Sequence, residues 1–170
     1  VNTGLTQKIF DHFLESKAKK FIFFSTVKAV ADSIEDKILT EEVVPNPIGP
    51  YAESKKKAED YILSKLDEVN KTGKYVYIIR PCLIHGPGNK GNLNLLYNVV
   101  KKGIPWPLGA YDNKRSFCSI ENITFVVEKL IESENIPSGI YNMCDDEPLS
   151  TNEIIKLISL STNKKNIIWN

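Results

Sequence analysis

The sequence predicts an α/β protein whose core is a parallel β-sheet. Two nearly continuous apolar runs, "FIFFST" at residues 21–26 and "YVYIIR" at 75–80, are typical of strands buried on both faces of such a sheet. Segments with apolar residues at helical spacing alternate with these runs, which is the order that a parallel sheet requires. The 170 residues, 42% of them hydrophobic, are enough for one domain or most of one.

The first half of the chain alternates helix, strand, helix and strand. Apolar residues at helical spacing predict a helix over residues 3–18, before the first strand. A long polar connection, residues 27–50, follows that strand, and Pro50 stands where a helix begins. We therefore predict the second helix over residues 51–69, ending before Gly73, with the second strand directly after it.

The second half is predicted to contain two more strands and three helices, separated by irregular segments. The strands are expected at 116–120 and 139–144, the helices at 92–102, 121–134 and 151–159, and the irregular segments at 81–91 and 103–115. Gly103 ends the first of these helices. Ser150 is the predicted N-cap of the last helix, because Glu153 three residues later completes a capping box.

Both ends of the chain fall inside predicted elements. The chain opens within a helix that no strand precedes, and its final residues, "IIWN" at 167–170, look like a strand that has just begun. We therefore expect the chain to be a piece of a larger α/β domain.

Composition and charge exclude several classes of function. The net charge is +1 and the basic residues are dispersed, so no nucleic-acid-binding footprint is predicted. The longest apolar run is too short to span a bilayer. Cys82, Cys118 and Cys144 are widely spaced, and His12 and His85 lack metal-ligand neighbours at recognisable spacing, which argues against a disulfide framework and against a metal site. These features predict a cytoplasmic protein without metal, membrane or nucleic-acid partners.

A glycine motif in the chain matches the dinucleotide-binding pattern G-x-G-x-x-G but lacks its context. The match is "GPGNKG" at residues 86–91, and five residues separate it from the end of the preceding strand at Arg80. The true motif closes the turn directly after a strand and opens a helix. We therefore interpret residues 86–91 as a loop and not as a pyrophosphate site.

Three Tyr-x-x-x-Lys pairs occur, at Tyr51 and Lys55, Tyr61 and Lys65, and Tyr97 and Lys101. With seven tyrosines in 170 residues, about one such pair is expected by chance, so the spacing alone proves nothing. A tyrosine acts as a base only when its phenolate is favoured, and a lysine one helical turn away and a helix N-terminus both favour it. Only Tyr51 has both features. The other two pairs are interpreted as helix packing with a surface lysine.

The order of motifs along the whole chain extends this observation. The chain reads "KFIFFSTVKAVA", then "NPIGPYAESKKKAEDYI", then "VYIIRPCLIHGPGNKGNL", then "NKRSFCSIENI". This order resembles the extended short-chain dehydrogenase/reductase family, in its nucleotide-sugar epimerase/dehydratase branch. The resemblance implies an α/β fold that is the C-terminal part of a Rossmann-like sheet, with a small substrate-binding portion. It implies a Rossmann-like half with Tyr-x-x-x-Lys at residues 1–82, and a mainly substrate-binding region with returning Rossmann strands at 83–170.

The resemblance implies roles for residues at the predicted active site. Tyr51 is the catalytic base, Lys55 is its partner and also binds the nicotinamide ribose, and Thr26 hydrogen-bonds the sugar hydroxyl. Ser25 and Pro81 lie near the nicotinamide. The segment "NTGLT", which begins at Asn2, matches the start of a helix beside the cofactor. The implied cofactor is NAD, with NADP as the alternative.

The resemblance also implies how the substrate is bound. Asn92 and Leu93 match a segment that contacts the nucleotide, and Arg115 matches the arginine that binds the diphosphate, for which a guanidinium fork is suited. The segment "PWPLG" at 105–109, with Pro107 and Leu108, passes near the uracil. The implied partner is therefore a UDP-sugar.

Departures from the family pattern narrow the implied function. The family's phosphate-binding glycine motif does not occur in this chain, so we expect the chain alone to bind NAD poorly and to turn nothing over. Val27 and Lys28 stand where dehydratases carry an Asp-Glu pair, which argues against dehydration. The segments "STVK" at 25–28 and "NKRS" at 113–116 resemble those of a subgroup that handles UDP-amino sugars.

The resulting prediction is an NAD-dependent nucleotide-sugar 4-epimerase that acts by transient oxidation at C4. Two alternatives stay open: an NAD(P)H-dependent reductase of UDP-4-keto sugars, and a non-catalytic remnant that binds sugar nucleotides. The family's dimer contact uses two helices that this chain keeps, at 3–18 and 51–69, which allows a homodimer.

Overall fold

The computed structural model describes residues 2–34, 38–88, 91–111, 113–165 and 167–169. The chain forms two compact units, the first made of residues 1–82 and 123–143 and the second of residues 83–122 and 144–170. Among the described residues, no helix combines the length and apolarity needed to cross a membrane.

The described elements alternate between helices and strands along the chain. In order they are α1 (Asn2–Glu15), β1 (Lys20–Phe24), a 3-10 turn (Val27–Ala29), α2 (Pro50–Leu63), α3 (Leu66–Lys71), β2 (Tyr75–Pro81), β3 (Leu83–His85), α4 (Asn92–Lys101), β4 (Lys114–Arg115), β5 (Phe117–Ser119), α5 (Ile120–Glu132), β6 (Gly139–Met143), β7 (Leu149–Ser150) and α6 (Thr151–Thr162).

The first unit contains a three-stranded sheet in the order β1-β2-β6, and both pairings are parallel. Phe24 of β1 lies opposite Ile79 of β2, and Pro81 of β2 lies opposite Met143 of β6. The α/β fold with a parallel sheet is therefore confirmed. The carboxyl ends of all three strands meet at one edge, which is where ligands bind in open α/β sheets.

The two strands predicted from apolar runs differ in their burial. The central strand β2 is buried from Val76 to Pro81, as the prediction of burial on both faces requires. Strand β1 lies at the edge of the described sheet, and Phe24 is 42% exposed. The prediction of burial on both faces is therefore wrong for β1, which has a paired strand on one side only among the described residues.

The core of the first unit is formed by apolar side chains between the sheet and three helices. Phe10 of α1 packs edge-on against Phe21 of β1, with ring centroids 4.9 Å apart. The buried members of this core are Phe10, Phe13, Phe23, Ala58, Ile62, Val69, Val76 and Ile78. This packing fixes α1 and α2 on the same side of the unit, because both helices bury residues in one cluster.

Lys74, which directly precedes β2, and Lys20, the first residue of β1, bind the carboxyl ends of helices. The Nζ of Lys74 donates hydrogen bonds to the carbonyl oxygens of Phe13, Leu14 and Ser16 at 2.6–2.7 Å, where α1 ends. The Nζ of Lys20 does the same at the end of α5, where it binds three carbonyl oxygens at 2.6–2.9 Å. A cation at a helix carboxyl end satisfies carbonyls that have no partner inside the helix, so these lysines stabilise both junctions.

The helix predicted over residues 51–69 is wrong as a single element. It is interrupted at Ser64 and Lys65 and continues as the short helix α3. The Oγ of Ser64 donates to the Tyr61 carbonyl oxygen at 2.7 Å, and the Lys65 N–H donates to the Ile62 carbonyl oxygen at 3.1 Å. A serine hydroxyl that bonds back to the preceding turn competes with the helical ladder and explains the break.

The second unit contains two small sheets and the helices α4 and α6. Strands β3 and β5 pair in parallel, whereas β4 and β7 pair antiparallel. The irregular segment predicted at 81–91 is corrected by β3, which covers Leu83–His85. The predicted capping box of α6 is confirmed, since the Ser150 side chain accepts from the Glu153 N–H and the Glu153 side chain accepts from the Ser150 N–H.

Candidate active site

The carboxyl end of β1 and the first turns of α2 meet at one corner of the first unit. The Nζ of Lys55 donates a hydrogen bond of 2.7 Å to the carbonyl oxygen of Phe24, the last residue of β1. The same ammonium lies 4.9 Å from the centre of the Phe23 ring. Ser25 and Thr26 follow directly in the chain, so this contact brings three predicted site residues to the same corner.

Tyr51 lies in the first turn of α2, directly after Pro50 at the helix start. Gly49 is the N-cap residue, with φ of 90° and no side-chain cap. A helix start carries positive electrostatic potential from its unpaired N–H groups, which favours an anion such as a phenolate. Tyr51 is 54% exposed, so the residue is accessible to a ligand.

The charge of Lys55 is controlled by two opposing effects. Burial lowers the pKa of Lys55 below its ordinary value, because desolvation disfavours the ammonium, while the nearby Glu59 carboxylate acts to raise it. Glu59 lies one helical turn after Lys55 on the same helix. The pKa of Lys55 is thus set by its burial and by the Glu59 carboxylate.

Ser25 places an unsatisfied hydroxyl at this corner. The residue is only 5% exposed, and its Oγ has no hydrogen-bond partner among the described residues. Its backbone N–H donates to the Ile79 carbonyl oxygen at 2.7 Å, which continues the β1-β2 pairing. A buried hydroxyl without a partner is costly, so a bound polar ligand at this position would stabilise the site.

Thr26 ends the strand and begins the 3-10 turn. Its Oγ1 accepts a hydrogen bond of 3.3 Å from the Lys28 N–H, as the N-cap of the turn. The hydroxyl hydrogen of Thr26 takes no part in that bond and is able to donate to another oxygen. Thr26 therefore has the capacity that the predicted role at a sugar hydroxyl requires.

The remaining cofactor residues of the prediction lie at other places in the first unit. Pro81 is the last residue of β2 and is buried, at the same edge of the sheet as Ser25. Asn2 begins α1, and its side chain lies outside the described part of the structure. The structure thus groups Ser25, Pro81 and Lys55 at the carboxyl ends of β1 and β2.

The other two Tyr-x-x-x-Lys pairs have different surroundings. The hydroxyl of Tyr61 donates to the Asp11 carboxylate, and that hydrogen bond raises the pKa of Tyr61, with desolvation adding to the effect. The Nζ of Lys65 lies 3.4 Å from the Glu68 carboxylate. Tyr97 and Lys101 form a cation–π contact with 5.8 Å between the ammonium and the ring centre.

The second unit has a cavity of about 330 Å³ that contains most of the predicted substrate residues. Asn92 and Leu93, at the start of α4, line it together with Leu108 and Arg115. Arg115 is exposed and makes no ion pair with another described residue. Pro107 is exposed and is not among the lining residues, so the structure does not bring it together with the other four.

Among the residues that line the same cavity, sequence reasoning did not single out Tyr111 and Asn113, and it included Trp106 only as part of the segment "PWPLG" at 105–109. Trp106 is fixed by its backbone, whose N–H donates to the Ile167 carbonyl oxygen at 2.8 Å, while its indole Nε1 is buried without a partner among the described residues. The Oδ1 of Asn113 accepts from the Thr151 hydroxyl at 3.0 Å. Two aromatic residues within the irregular segment "WPLGAYDN", just before Arg115, were the available signal.

A second cavity of the same unit, of about 380 Å³, has a polar corner formed by His85 and Asp145. The His85 Nε2 and the Asp145 Oδ2 are 3.1 Å apart, and the Asn122 side chain donates to the Asp145 Oδ1 at 2.7 Å. Desolvation acts to raise the pKa of Asp145, but hydrogen bonds from Asn122, the Ser119 backbone and His85 outweigh it, so the pKa is lowered. The remaining lining is mostly aliphatic and aromatic.

Comparison with known proteins gives a family match over nearly the whole chain. Residues 1–166 match the model of the 3-beta hydroxysteroid dehydrogenase/isomerase family. The chain is 30% identical over 167 residues to UDP-glucose 4-epimerase of Vibrio cholerae, a match that covers 96% of this chain and 50% of the relative. It is also 30% identical over 169 residues to N-acetyl-α-D-glucosaminyl-diphospho-ditrans,octacis-undecaprenol 4-epimerase of Escherichia coli O157:H7, covering 97% of this chain and 49% of the relative.

Solved structures support the fold independently. The UDP-glucuronic acid 4-epimerase of Bacillus cereus, in complex with UDP-glucuronic acid and NAD, superimposes with a TM-score of 0.80 at 20% identity, over 98% of this chain and 53% of that chain. The chain thus spans about half the length of the relatives that it matches.

Proposed function

Because the chain belongs to the 3-beta hydroxysteroid dehydrogenase/isomerase family, within the extended short-chain dehydrogenase/reductases and their nucleotide-sugar epimerase branch, we propose that it forms part of an NAD-dependent nucleotide-sugar 4-epimerase. Tyr51, Lys55 and Thr26 are its catalytic residues in this proposal. The first unit contributes the catalytic and cofactor-binding groups, and the second unit contributes the nucleotide-binding groups.

The observation that carries the proposal is the hydrogen bond of Lys55 to the Phe24 carbonyl oxygen. This bond fixes the start of α2 against the strand end that bears Ser25 and Thr26. Lys55 and the two hydroxyl residues Ser25 and Thr26 are therefore close to the carboxyl edge of a parallel sheet, and the proposed base Tyr51 lies one helical turn before Lys55. That edge is where α/β proteins bind dinucleotides and their substrates.

The residues at this edge fit a nicotinamide cofactor. The Ser25 hydroxyl is buried and lacks a partner among the described residues, and Lys55 offers a partly buried ammonium. We propose that Ser25, Tyr51, Lys55 and Pro81 hold NAD, with Asn2 beside it, and that NADP is the alternative. When bound, this cofactor supplies the oxidation and re-reduction of the sugar C4 carbon.

Tyr51, with Thr26 and Lys55, transfers the proton of the sugar 4-hydroxyl in this proposal. Tyr51, as phenolate, accepts the proton of the sugar 4-hydroxyl, and the Thr26 hydroxyl donates a hydrogen bond to the same oxygen. The Lys55 ammonium stabilises the phenolate form of Tyr51 before the proton is accepted and again after it has been returned. Tyr51 returns that proton after the opposite face of the sugar has been presented, so no net proton is consumed.

The second unit is suited to the nucleoside diphosphate of the substrate. Arg115 offers an exposed guanidinium at the rim of the 330 Å³ cavity, and such a fork binds phosphate oxygens in a bidentate manner. Trp106 and Tyr111 in the lining give aromatic surfaces against which a base can stack. Asn92 and Leu93 complete the proposed uridine site.

The test uses the full-length gene product and UDP-N-acetylglucosamine, with no cofactor added. Proton NMR should show the 4-epimer, because an epimerase regenerates its own bound cofactor in each cycle. No conversion without cofactor, together with NADPH consumption when a UDP-4-keto sugar is supplied, would replace the epimerase with the ketoreductase. Absence of both activities would leave only a sugar-nucleotide binder.

One comparison gives a second candidate for the group that carries the sugar, an undecaprenyl diphosphate in place of UDP. The Escherichia coli relative named for an undecaprenol-linked sugar has the same 30% identity as the relative named for UDP-glucose. A diphosphate is common to both carriers, so Arg115 would serve either. Competition between UDP and a short polyprenyl diphosphate for the wild-type protein distinguishes them, and we expect UDP to bind because aromatic side chains line the cavity.

We also propose a homodimer through α1 and α2. On α1, Leu5 is 57% exposed and Ile9 is 51% exposed, so this helix presents apolar surface in the described structure. Static light scattering on the full-length protein should give twice the chain mass. Replacement of both residues by lysine should give the monomer mass, and a wild-type monomer would refute the proposal.

A further inference from the structure

A buried ion pair in the first unit has no role in the mechanism proposed above. Glu59 of α2 is fully buried and Arg80 of β2 is 2% exposed. The Arg80 Nε donates to the Glu59 Oε1 at 2.9 Å, and the Arg80 Nη2 donates to the Glu59 Oε2 at 2.6 Å. The two bonds form a parallel fork, which is the geometry that best orients a carboxylate.

Stability alone is a weak reason for such a pair. Removing two charges from water costs several kcal/mol per ion, and packed apolar residues of the same volume are often equally stable or more stable. The remaining guanidinium nitrogen, Nη1 of Arg80, is buried without a partner among the described residues, which adds to the cost. The presence of the Glu59–Arg80 pair is therefore better explained by a role in positioning the elements that carry it.

The positions of the two residues connect them to the candidate active site. Glu59 lies one turn after Lys55 and two turns after Tyr51, on the inner face of α2. Arg80 directly precedes Pro81 at the end of the central strand. The pair thus joins the helix that carries the acid/base residues to the strand end proposed to meet the cofactor.

We propose that Glu59 and Arg80 are positioning residues, whose forked pair sets the placement of α2 on β2 and whose carboxylate provides the negative charge that holds the Lys55 ammonium. This inference rests on the proposed function for its catalytic consequence, and its electrostatic part is measurable without turnover.

The charges around Lys55 support the proposal that the Glu59 carboxylate stabilises the Lys55 ammonium. Desolvation lowers the pKa of Lys55, and Glu59 is the charged group that opposes this effect. Strand β1 faces Lys55 with a carbonyl oxygen and the Phe23 ring, and both are uncharged. On neighbouring elements, Arg80 is paired with Glu59, while Lys28 is paired with Asp32 at 2.7 Å.

The decisive variant removes both charges. Glu59→Gln/Arg80→Met in the full-length protein leaves no unpaired buried charge, so we expect it to fold with a melting temperature close to wild type. We expect Lys55 to lose its proton at a lower pH than in wild type. The titration is followed by ¹³Cε NMR of labelled lysines, and the Lys55 signal is assigned by its absence from the Lys55→Arg variant. The alkaline limb of the kcat–pH profile should move to lower pH with it, so that kcat on that limb falls below the wild-type value at the same pH.

A matched control lies on the same helix. Lys56 and Asp60 form an ion pair at the adjacent positions, and the Asp60 side chain is 55% exposed. Lys56→Met/Asp60→Asn should leave the Lys55 titration and the kcat–pH profile at wild-type values. An equal shift in this control would overturn the proposal, because any charge removal on α2 would then have the same effect.

A conservative variant tests whether the forked pair sets the placement of α2 on β2. Arg80→Lys keeps the positive charge but not the fork, so kcat should fall while the Lys55 titration stays as in wild type. A folded double variant with a wild-type Lys55 titration overturns the proposal. So does a double variant that fails to fold while Arg80→Lys retains wild-type kcat, since the pair would then be only structural. If wild-type protein turns over no sugar nucleotide, the proposed function fails, and the Lys55 titration still decides the electrostatic claim.

Discussion

The start of α2 and the junction between α2 and α3 carry the same residue spacing in opposite surroundings. At the start of α2, Tyr51 is exposed, and Lys55 donates to the Phe24 carbonyl oxygen at 2.7 Å. At the junction, Tyr61 donates to the Asp11 carboxylate, and Lys65 lies 3.4 Å from Glu68. The first lysine is bound by the sheet, whereas the second is bound by a surface carboxylate one turn later.

This difference shows that chemistry comes from the surroundings of a Tyr-x-x-x-Lys pair and not from its spacing. The Asp11 carboxylate accepts a hydrogen bond from the Tyr61 hydroxyl and raises the pKa of Tyr61, so less of its phenolate is present to accept a proton. Among the described residues no carboxylate accepts from the Tyr51 hydroxyl, and Tyr51 lies at the positive end of the helix.

Replacing each tyrosine by phenylalanine tests the comparison most strongly. Tyr51→Phe in the full-length protein should lower kcat on the order of 10³-fold, because the proton acceptor is removed. Tyr61→Phe should stay within a factor of about two, since its hydroxyl only binds Asp11. Rates come from the NMR conversion assay. Equal losses in both variants would mean that the two tyrosines are not different in function.

Replacing each lysine by methionine should give a smaller but parallel contrast. Lys55→Met should lower kcat roughly a hundredfold, because the phenolate loses its nearest cation and α2 loses its bond to Phe24. Lys65→Met should have almost no effect, since exposed ion pairs contribute little. A Lys55→Met enzyme with wild-type kcat would remove Lys55 from the mechanism.

The start of the helix should also be sensitive to its backbone. Gly49 has φ of 90°, and a Cβ there meets no atom within 4 Å, so Gly49→Ala adds backbone strain without a clash. We expect a loss of about 1 kcal/mol of unfolding free energy, or roughly 2–4 °C in melting temperature. Lys57→Ala, at an exposed position of the same helix, is the control and should be neutral. Calorimetry that shows no loss for Gly49→Ala would contradict the strain.

The smallest effect concerns the surface tyrosine alone. Asp11→Asn should lower the pKa of Tyr61 toward its ordinary value, as measured by ultraviolet or NMR titration, because the anionic acceptor is gone. In wild type the folded-state pKa is raised, so the contribution of this bond to stability is present below about pH 10 and is lost as the pH rises through the raised pKa. An unchanged Tyr61 titration would show that Asp11 does not control it.

Much of the fold was accessible from the sequence because its signals are local. The parallel sheet followed from two apolar runs, and the last helix followed from the Ser150 and Glu153 capping box. The break at Ser64 was missed, since a serine inside an apolar helical pattern gives no sign that its hydroxyl will bond backward. Strand β3 was missed because it pairs with β5, whose residues begin more than thirty positions later.

The candidate site shows the same limit. The choice of Tyr51 among three tyrosines rested on Pro50 and the helix start, and it stays a prediction. Tyr111 and Asn113 were not found, because an irregular segment has no periodicity to indicate which side chains face a cavity. The pairing of Glu59 with Arg80 was likewise hidden, since the two residues lie on different elements and neither has a sequence signature.

The most direct test of the central claim, that Tyr51 serves a cycle of oxidation and re-reduction at C4, uses UDP-N-acetylglucosamine deuterated at C4. The full-length wild-type protein and its Tyr51→Phe variant are compared by proton NMR without added cofactor. Our account predicts a 4-epimer that retains deuterium at C4 in the wild type, and no epimer on the same timescale with Tyr51→Phe. Loss of deuterium to solvent, or epimer formation by Tyr51→Phe at the wild-type rate, would contradict it.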